Sequence, residues 1–267
     1  MAKISIVTPT FNSVKYIENC IQSIMTQTYL DYEHIIIDGG STDGTLEILQ
    51  KYENKYPMKW RSEPDQGMYD AINKGFQLAT GEIYAWINSD DCYYPWTLGL
   101  VVRVFDKKKI QWLIGIPSNT KNYEGMKITY LLPNLPPIFH RKMIQKGIYD
   151  GRRMPFIQQE SCFWTRQLWE KSGGIDIKYK MAGDYHLWRK FAKMTALYTI
   201  HCNLASFQIH EGQKSSDMVA YYKEVGTQKS GKIKSVLLLA KLWLYSLKNY
   251  GRYMVNIEQL YIGMDKS

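Results

Sequence analysis

Aspartates are the residues of this 267-residue chain whose type and spacing could do chemistry. Asp90 and Asp91 stand together in Asn88-Ser89-Asp90-Asp91, directly after an apolar run over 83–87. Neighbouring side chains leave an extended backbone in opposite directions, so one carboxylate could meet a ribose while the other reaches a metal. Hard divalent cations such as Mg²⁺ and Mn²⁺ take one or two carboxylates and fill their remaining positions with phosphate oxygens and water. The same pair could instead cap a helix, being placed beside a turn and ahead of Pro95. Asp38 heads Asp38-Gly39-Gly40-Ser41-Thr42-Asp43-Gly44-Thr45, which suits a ligand position or a plain turn. Asp43 reads as the cap of a helix that starts near Thr45. Neither GxGxxG nor GxxxxGK[ST] occurs, so a glycine-rich loop alone does not cradle phosphates here. Neutralisation by metal and base is the natural alternative, and that combination points to a nucleotide diphosphate.

Such carboxylates need a scaffold that gathers them. Over roughly the first hundred residues, short apolar runs alternate with amphipathic stretches, the pattern of βαβ units and a largely parallel sheet. Strands are expected at 4–7, 34–37, 58–61 and 83–87, with helices after an Asn12 or Ser13 cap, after Thr45, and over 69–78. Ile17, Ile21, Ile24 and Met25 would share one face of the first helix. The isoleucine run in the second strand implies burial on both faces. Polar residues then collect at successive carboxyl ends: Thr8 and Thr10, Asp38, and Asp90-Asp91. In an open α/β sheet that is where ligands bind. Residues 117–155 concentrate prolines and lack periodicity, as a functional or flexible loop does. Beyond them, 165–171 and 184–194 read as helices, and 197–201 and 205–209 as strands.

With 45% of its residues apolar and 22% charged, the chain can bury a sizeable core, which excludes intrinsic disorder. Four scattered cysteines form no CxxC pair, so neither a zinc knuckle nor a redox motif is present, and reduced thiols of a cytoplasmic protein are expected. The amino terminus shows no signal-peptide pattern, and no apolar run reaches the ~18 residues of a membrane span. The formal charge is +9. Six bases, Lys229, Lys232, Lys234, Lys241, Lys248 and Arg252, lie between 229 and 257 without an acid, so the rest of the chain carries only +3. No nucleic-acid reader motif accompanies that charge, and nucleic acid is not expected as a partner. Lys234, Lys241 and Lys248 would form a stripe beside Leu237, Leu238, Trp243, Leu244 and Leu247, as on a helix lying in an anionic membrane interface. Packing on the chain's own domain, or on a second copy in a homodimer, is the alternative.

Four ordered motifs carry a family resemblance. They are Ile4-Ser5-Ile6-Val7-Thr8-Pro9-Thr10-Phe11-Asn12, Ile36-Ile37-Asp38-Gly39-Gly40-Ser41-Thr42-Asp43-Gly44-Thr45, Ser62-Glu63-Pro64-Asp65-Gln66-Gly67-Met68-Tyr69-Asp70-Ala71-Ile72-Asn73-Lys74-Gly75, and Asn88-Ser89-Asp90-Asp91. In this order and spacing they resemble glycosyltransferase family 2, most closely its bacterial surface-polysaccharide enzymes. Gly173-Gly174-Ile175-Asp176 and Ala182-Gly183-Asp184-Tyr185-His186 continue the likeness, which fades after about residue 215.

The resemblance implies an α/β GT-A fold: a Rossmann-like, mostly parallel sheet flanked by helices. The catalytic domain would span 1–226, with a nucleotide-sugar half at 1–116 and an acceptor half at 117–226, and a basic helical extension would fill 227–267. It implies metal-dependent, inverting transfer of a sugar from a nucleotide diphosphate, UDP being preferred, to a glycan or lipid-linked hydroxyl. By position, Thr8, Pro9, Thr10 and Asp38 would hold base and ribose, with Asp65 near them. Asp70, Asn73 and Lys74 would line the donor site. Asn88, Asp90 and Asp91 match the metal-binding DXD region, with Asp91 on Mn²⁺ or Mg²⁺ and Asp90 beside it, and Asp184 matches the general base. His210-Glu211-Gly212-Gln213-Lys214-Ser215 resembles a segment that closes over the diphosphate, making Lys214 a phosphate contact and His210 either a metal ligand or scaffold.

Asn88 stands where the DXD pattern has its first Asp, and Gly183 precedes Asp184 where many relatives have Glu. No QxxRW follows, so a single sugar per encounter is expected rather than polymerisation. Cytoplasmic placement at the inner face of a membrane fits lipid-linked acceptors. A nucleotidyltransferase, or a nucleotide-sugar-binding subunit without activity, are the competing readings. Trp164 and Trp188 read as core, and Glu160 and Arg166 as substrate contacts or an ion pair.

Overall fold

The computed structural model describes residues 2–116, 121–122, 138–226 and 244–255. The chain begins β1 (Ile4–Thr10), α1 (Ile17–Met25), β2 (Tyr32–Asp38), α2 (Thr45–Tyr52), β3 (Met58–Ser62), α3 (Met68–Leu78) and β4 (Ile83–Trp86). There follow β5 (Cys92–Tyr93), α4 (Thr97–Lys108), β6 (Trp112–Gly115), β7 (Lys121–Asn122), α5 (Arg141–Gln145), β8 (Cys162–Thr165) and α6 (Arg166–Ser172). The last elements are α7 (Gly183–Met194), β9 (Tyr198–Ile200), β10 (Ala205–Ser206), β11 (Gln208–Ile209), α8 (Met218–Val225) and β12 (Met254–Val255).

Among the described residues the main sheet has the order β12-β9-β6-β8-β4-β1-β2-β3. Its β3-β2-β1-β4 half is parallel. β8 then runs antiparallel to both β4 and β6, and β6, β9 and β12 are parallel again. Register makes the carboxyl ends level: Thr10 faces Asp38 and Asp38 faces Ser62. The expected α/β GT-A architecture is thus the one observed, a mostly parallel sheet covered by helices on both faces.

Strict alternation sorts the core. Val7, Tyr84, Trp86, Trp112, Ile114 and Trp164 face one side with α3, α6 and α7, while Ile4, Ile6, Ile83, Ala85, Leu113 and Phe163 face the other with α4. Side chains two apart share a sheet face, which is why near-continuous apolar strands can feed two cores. Trp164 and Trp188 are fully buried, 5.7 Å apart in an edge-to-face arrangement. Pairs of that geometry add about 0.5–1.5 kcal/mol beyond area burial.

Several local expectations differ from what is observed. α1 begins after Tyr16, and neither Asn12 nor Ser13 caps it with a side chain. Asn12 adopts φ +49° and ties the first two strand ends together: its Oδ1 accepts from Thr42 N–H, and its N–H donates to Ser41 Oγ. Gly44 takes the N-cap place of α2, so Asp43, one residue earlier, accepts from the N–H and hydroxyl of Thr45. The expected strand at 205–209 is two short ones, β10 against β5 and β11 against β7, separated by Phe207. Most of the basic stripe, with Lys229, Lys232, Lys234 and Lys241, lies outside the described residues. Residues 244–253 are helical, with Leu244 and Leu247 exposed, and Met254–Val255 then joins the main sheet beside β9.

Candidate active site

The level strand ends build one wall of a cleft. Asp38 is fully buried, and its carboxylate accepts from Gly40 N–H, Ser41 N–H, Ser62 Oγ and Ser41 Oγ. These bonds fold the Gly39-Gly40 turn back beneath the surface. Gly39 lies against its neighbours so closely that a Cβ there would stand 2.9 Å from Asp65 Oδ2 and 3.3 Å from the Phe11 ring. Phe11 itself is 61% exposed. An open aromatic face beside a carboxylate that, among the described residues, accepts from Gly67 N–H at 2.6 Å suits a planar polar ring. Thr8, Pro9 and Thr10 are buried at the end of β1. Thr8 Oγ1 lies 2.9 Å from His34 Nε2, and burial holds the His34 imidazole neutral, with a pKa of about 3.

On α3 the expected donor residues separate. Asn73 clamps the backbone of Ile175 through both ends of its amide, at 2.8 and 3.2 Å, and so serves the scaffold. Lys74 pairs with Glu63 at 3.0 Å and with Asp70 at 3.3 Å, while Asp70 also accepts from Gln66 N–H. Next to them a narrow cleft is lined by Gln66, Gly67, Asp70, Tyr179, Lys180 and Lys214, among others. Desolvation, and then the charge of Lys180, keep the Lys214 pKa below the ordinary lysine value. Two ammonium groups at one cleft mouth suit a multiply charged anion.

Beyond β4 the adjacent carboxylates do point apart, and neither caps α4, whose N-cap residue is Trp96. Asp91 is fully buried and accepts from Gln208 N–H at 3.1 Å. Burial, then the neighbouring carboxylates of Asp90 and Glu160, push its pKa well above the usual carboxylate range. Asp90 turns the other way: its Oδ2 lies 2.9 Å from His210 Nε2. The His210 ring stacks on Tyr16, centroids 4.2 Å apart, and its Nδ1 lies 2.9 Å from the Glu211 carbonyl. Asn88 Oδ1 is buried with no hydrogen-bond partner among the described residues. No group of three or more His, Cys, Asp or Glu among the described residues is arranged to hold a metal. The two donors that meet here, the Asp90 carboxylate and the His210 imidazole, nonetheless fit a divalent cation whose remaining ligands are phosphate oxygens, while the Asn88 amide nitrogen donates to Asp91 at 3.5 Å.

Asp184 stands in the first turn of α7, behind Ala182. Its Oδ1 is buried and without a partner among the described residues. Burial lifts its pKa to about 6, against the pull of the Tyr185 N–H and its own. A carboxylate poised near neutrality is what removing a hydroxyl proton requires. Gly183 explains a departure from the family pattern: a Cβ there would stand 2.6 Å from the Tyr69 ring and 2.8 Å from Ile175. Arg166 pairs with Glu170 at 2.7 Å. Phe11, Tyr16 and Lys180 escape sequence reasoning. Phe11 sits inside a recognised motif, but nothing local shows that its ring is exposed.

A family model for glycosyl transferase family 2 matches residues 5–161. An uncharacterized glycosyltransferase of Nostoc sp. is 27% identical over 212 residues, covering 78% of this chain and 65% of its own length. The chain therefore spans about two thirds of that relative. Among solved structures, TarS residues 1–349 of S. aureus, in complex with UDP-GlcNAc, superposes with a TM-score of 0.67 at 19% identity, over 92% of this chain and 73% of that one. A mannosyltransferase of Pyrobaculum calidifontis in complex with GDP-Man and Mn²⁺ gives 0.63 at 18% identity, over 91% and 70%. These likenesses show a common GT-A fold. Since the matched 5–161 include the four ordered motifs but for Ile4, and the level strand ends that carry them, the chain belongs to glycosyl transferase family 2.

Proposed function

We propose that the protein moves one sugar per encounter from a nucleotide diphosphate donor, preferably UDP-linked, to a hydroxyl of a glycan or lipid-linked acceptor, with inversion at the anomeric carbon. The observation that carries this reading is Asp184: a carboxylate with a buried, unpartnered oxygen and a pKa of about 6, standing in the first turn of a helix in a nucleotide-sugar fold. Asp184 takes the acceptor's hydroxyl proton as that oxygen bonds to the anomeric carbon. The bond from that carbon to the diphosphate breaks, and its electron pair leaves with the nucleotide. No covalent bond to the protein is needed.

The base of the donor lies on Phe11 with its polar rim toward Asp65, and the diphosphate lies toward Lys214 and Lys180. Asp90 and His210 would hold a divalent cation, Mn²⁺ or Mg²⁺. Such a cation, when bound, stabilises the charge that develops on the leaving diphosphate. Asp91, bonded to Gln208, fixes the loop instead of ligating. TarS bound to UDP-GlcNAc supports the donor class, and the Pyrobaculum enzyme with Mn²⁺ supports the cation.

Among the described residues no helix is long and apolar enough to cross a membrane. The basic, leucine-rich stretch that begins at 229 supports peripheral attachment to an anionic surface, where a lipid-linked acceptor would be met. The test is a panel of nucleotide sugars with Mn²⁺, following released nucleotide diphosphate with and without lipid acceptor. Transfer that survives Asp184→Asn, or that is indifferent to metal, overturns this reading.

A further inference from the structure

Glu224, in the last turn of α8, directs its carboxylate into the backbone just ahead of Asp184. Oε1 accepts from Lys180 N–H at 2.7 Å, and Oε2 accepts from Met181 and Ala182 N–H, each at 2.9 Å. Three successive N–H groups converging on one anion make a nest, and hydrogen bonds to an ionised acceptor are roughly twice as strong as neutral ones. Burial works to raise the Glu224 pKa, but these bonds outweigh it and hold the group ionised. From the opposite side Tyr69 donates its hydroxyl to Met181 O at 3.1 Å, and Gly183 leaves no room for a side chain. The segment 180–184 is thus clamped between α3 and α8.

The same segment reaches the donor cleft. Lys180 Nζ donates to Gln66 O at 2.7 Å, and the turn Lys214–Ser216 runs directly into α8, whose start Asp217 caps by accepting from Ala220 N–H. We propose that Glu224 is a positioning residue, setting the 180–182 backbone so that α7 presents Asp184 to the acceptor hydroxyl. The segment that seats the diphosphate and the segment that aims the base then share one clamp. This rests on Asp184 being the base.

The ionisable groups that act on Asp184 are Tyr69 from α3, Tyr221 and Glu224 from α8, and Cys162 from β8. Burial keeps both tyrosines and the thiol neutral, so Glu224 is the charged one of the four near pH 7. Removing its charge must move the acid limb of the pH profile to lower pH, because a like charge opposes ionisation of Asp184.

The experiment compares Glu224→Gln, Glu224→Ala and Asp184→Asn in the full chain. UDP with Mn²⁺ serves as the binding probe, thermal melting reports folding, and kcat, donor KM and the pH profile are read with a nucleotide sugar the wild type turns over. Glu224→Gln, whose amide nitrogen cannot accept from the N–H it faces, is expected to melt a little lower and to bind UDP no more than a few-fold more weakly, to lose kcat by about 10²-fold with donor KM changed no more than UDP affinity, and to shift its acid limb downward. If Glu224→Ala fails to fold, Glu224→Gln alone decides. Wild-type kcat with an unmoved acid limb overturns the proposal, as does a kcat loss matched by equal losses of UDP affinity and melting temperature. An active Asp184→Asn removes the base itself. An inactive Asp184→Asn beside a wild-type-like Glu224→Gln removes only the positioning role.

Discussion

His210 Nε2 stands 2.9 Å from Asp90 Oδ2 although 120 residues separate them in the chain. The break between β10 and β11 creates this meeting: one short strand pairs with β5, the other with β7, and the chain turns so that His210 arrives over the end of β4. Gln208 bonds Asp91 on the way. The two neighbouring aspartates thereby acquire different work.

Mn²⁺ affinity follows from that division. In the UDP complex, His210→Ala and Asp90→Asn are each expected to weaken Mn²⁺ by at least about tenfold, measured by calorimetric or paramagnetic titration. Asp91→Ala should instead lower the melting temperature, since it leaves the Gln208 N–H without its side-chain acceptor. Unchanged Mn²⁺ binding in His210→Ala would sink the assignment.

Activity should fall in acid through one proton. Asp184 must be ionised to act and titrates at about 6, so kcat is expected to drop tenfold per pH unit well below that value and to level off above it. Asp184→Asn removes transfer at every pH. A profile flat down to pH 4 contradicts the role.

Phe11 supplies the stacking face. Its ring is mostly exposed, so Phe11→Ala leaves stability near wild type but is expected to weaken UDP binding by about 1–2 kcal/mol, the usual worth of base stacking on an aromatic. Equal Kd values for UDP would place the base elsewhere.

Glu33 ties the sheet to the turn before β4. It accepts from Ser5 Oγ, Thr80 N–H and Thr80 Oγ1, and pairs with Lys59 at 3.3 Å and Lys3 at 3.5 Å. Burial opposes its ionisation, but these bonds prevail and bring its pKa down to about 2 from an ordinary 4.5. A depressed carboxylate contributes stability that is fully present above 4.5 and is lost as pH falls toward 2. Urea denaturation should show Glu33→Gln less stable by about 2 kcal/mol at neutral pH and flatter across that acid window.

The parallel half of the sheet and the row of polar residues along its carboxyl ends are legible in the sequence. Apolar runs such as 4–7 and 34–37 are dense enough that no other element fits them. Asp43 beside Thr45 and the buried Trp164 were also readable, because turn chemistry and size decide them locally. What escapes is whatever depends on a distant partner. Asn12 looks like a cap until Ser41 and Thr42 claim it. Asn73 looks like a donor contact until the Ile175 backbone takes both ends of its amide. Nothing around Glu224 announces that its carboxylate ends in the backbone of Lys180, Met181 and Ala182. Those outcomes are set by side-chain reach across the fold, which spacing along one chain does not encode.

Met254–Val255, pairing with Thr199 and Ile200, also covers the open side of β9. A chain cut near residue 229 would present β9 as an unprotected edge, a template for pairing with a second molecule. Such a truncation would self-associate, and its pelleting with vesicles would report aggregation as readily as retained membrane attachment. Reversing charge at Lys234, Lys241 and Lys248 leaves that strand in place, and is the cleaner way to ask whether the tail meets a lipid surface.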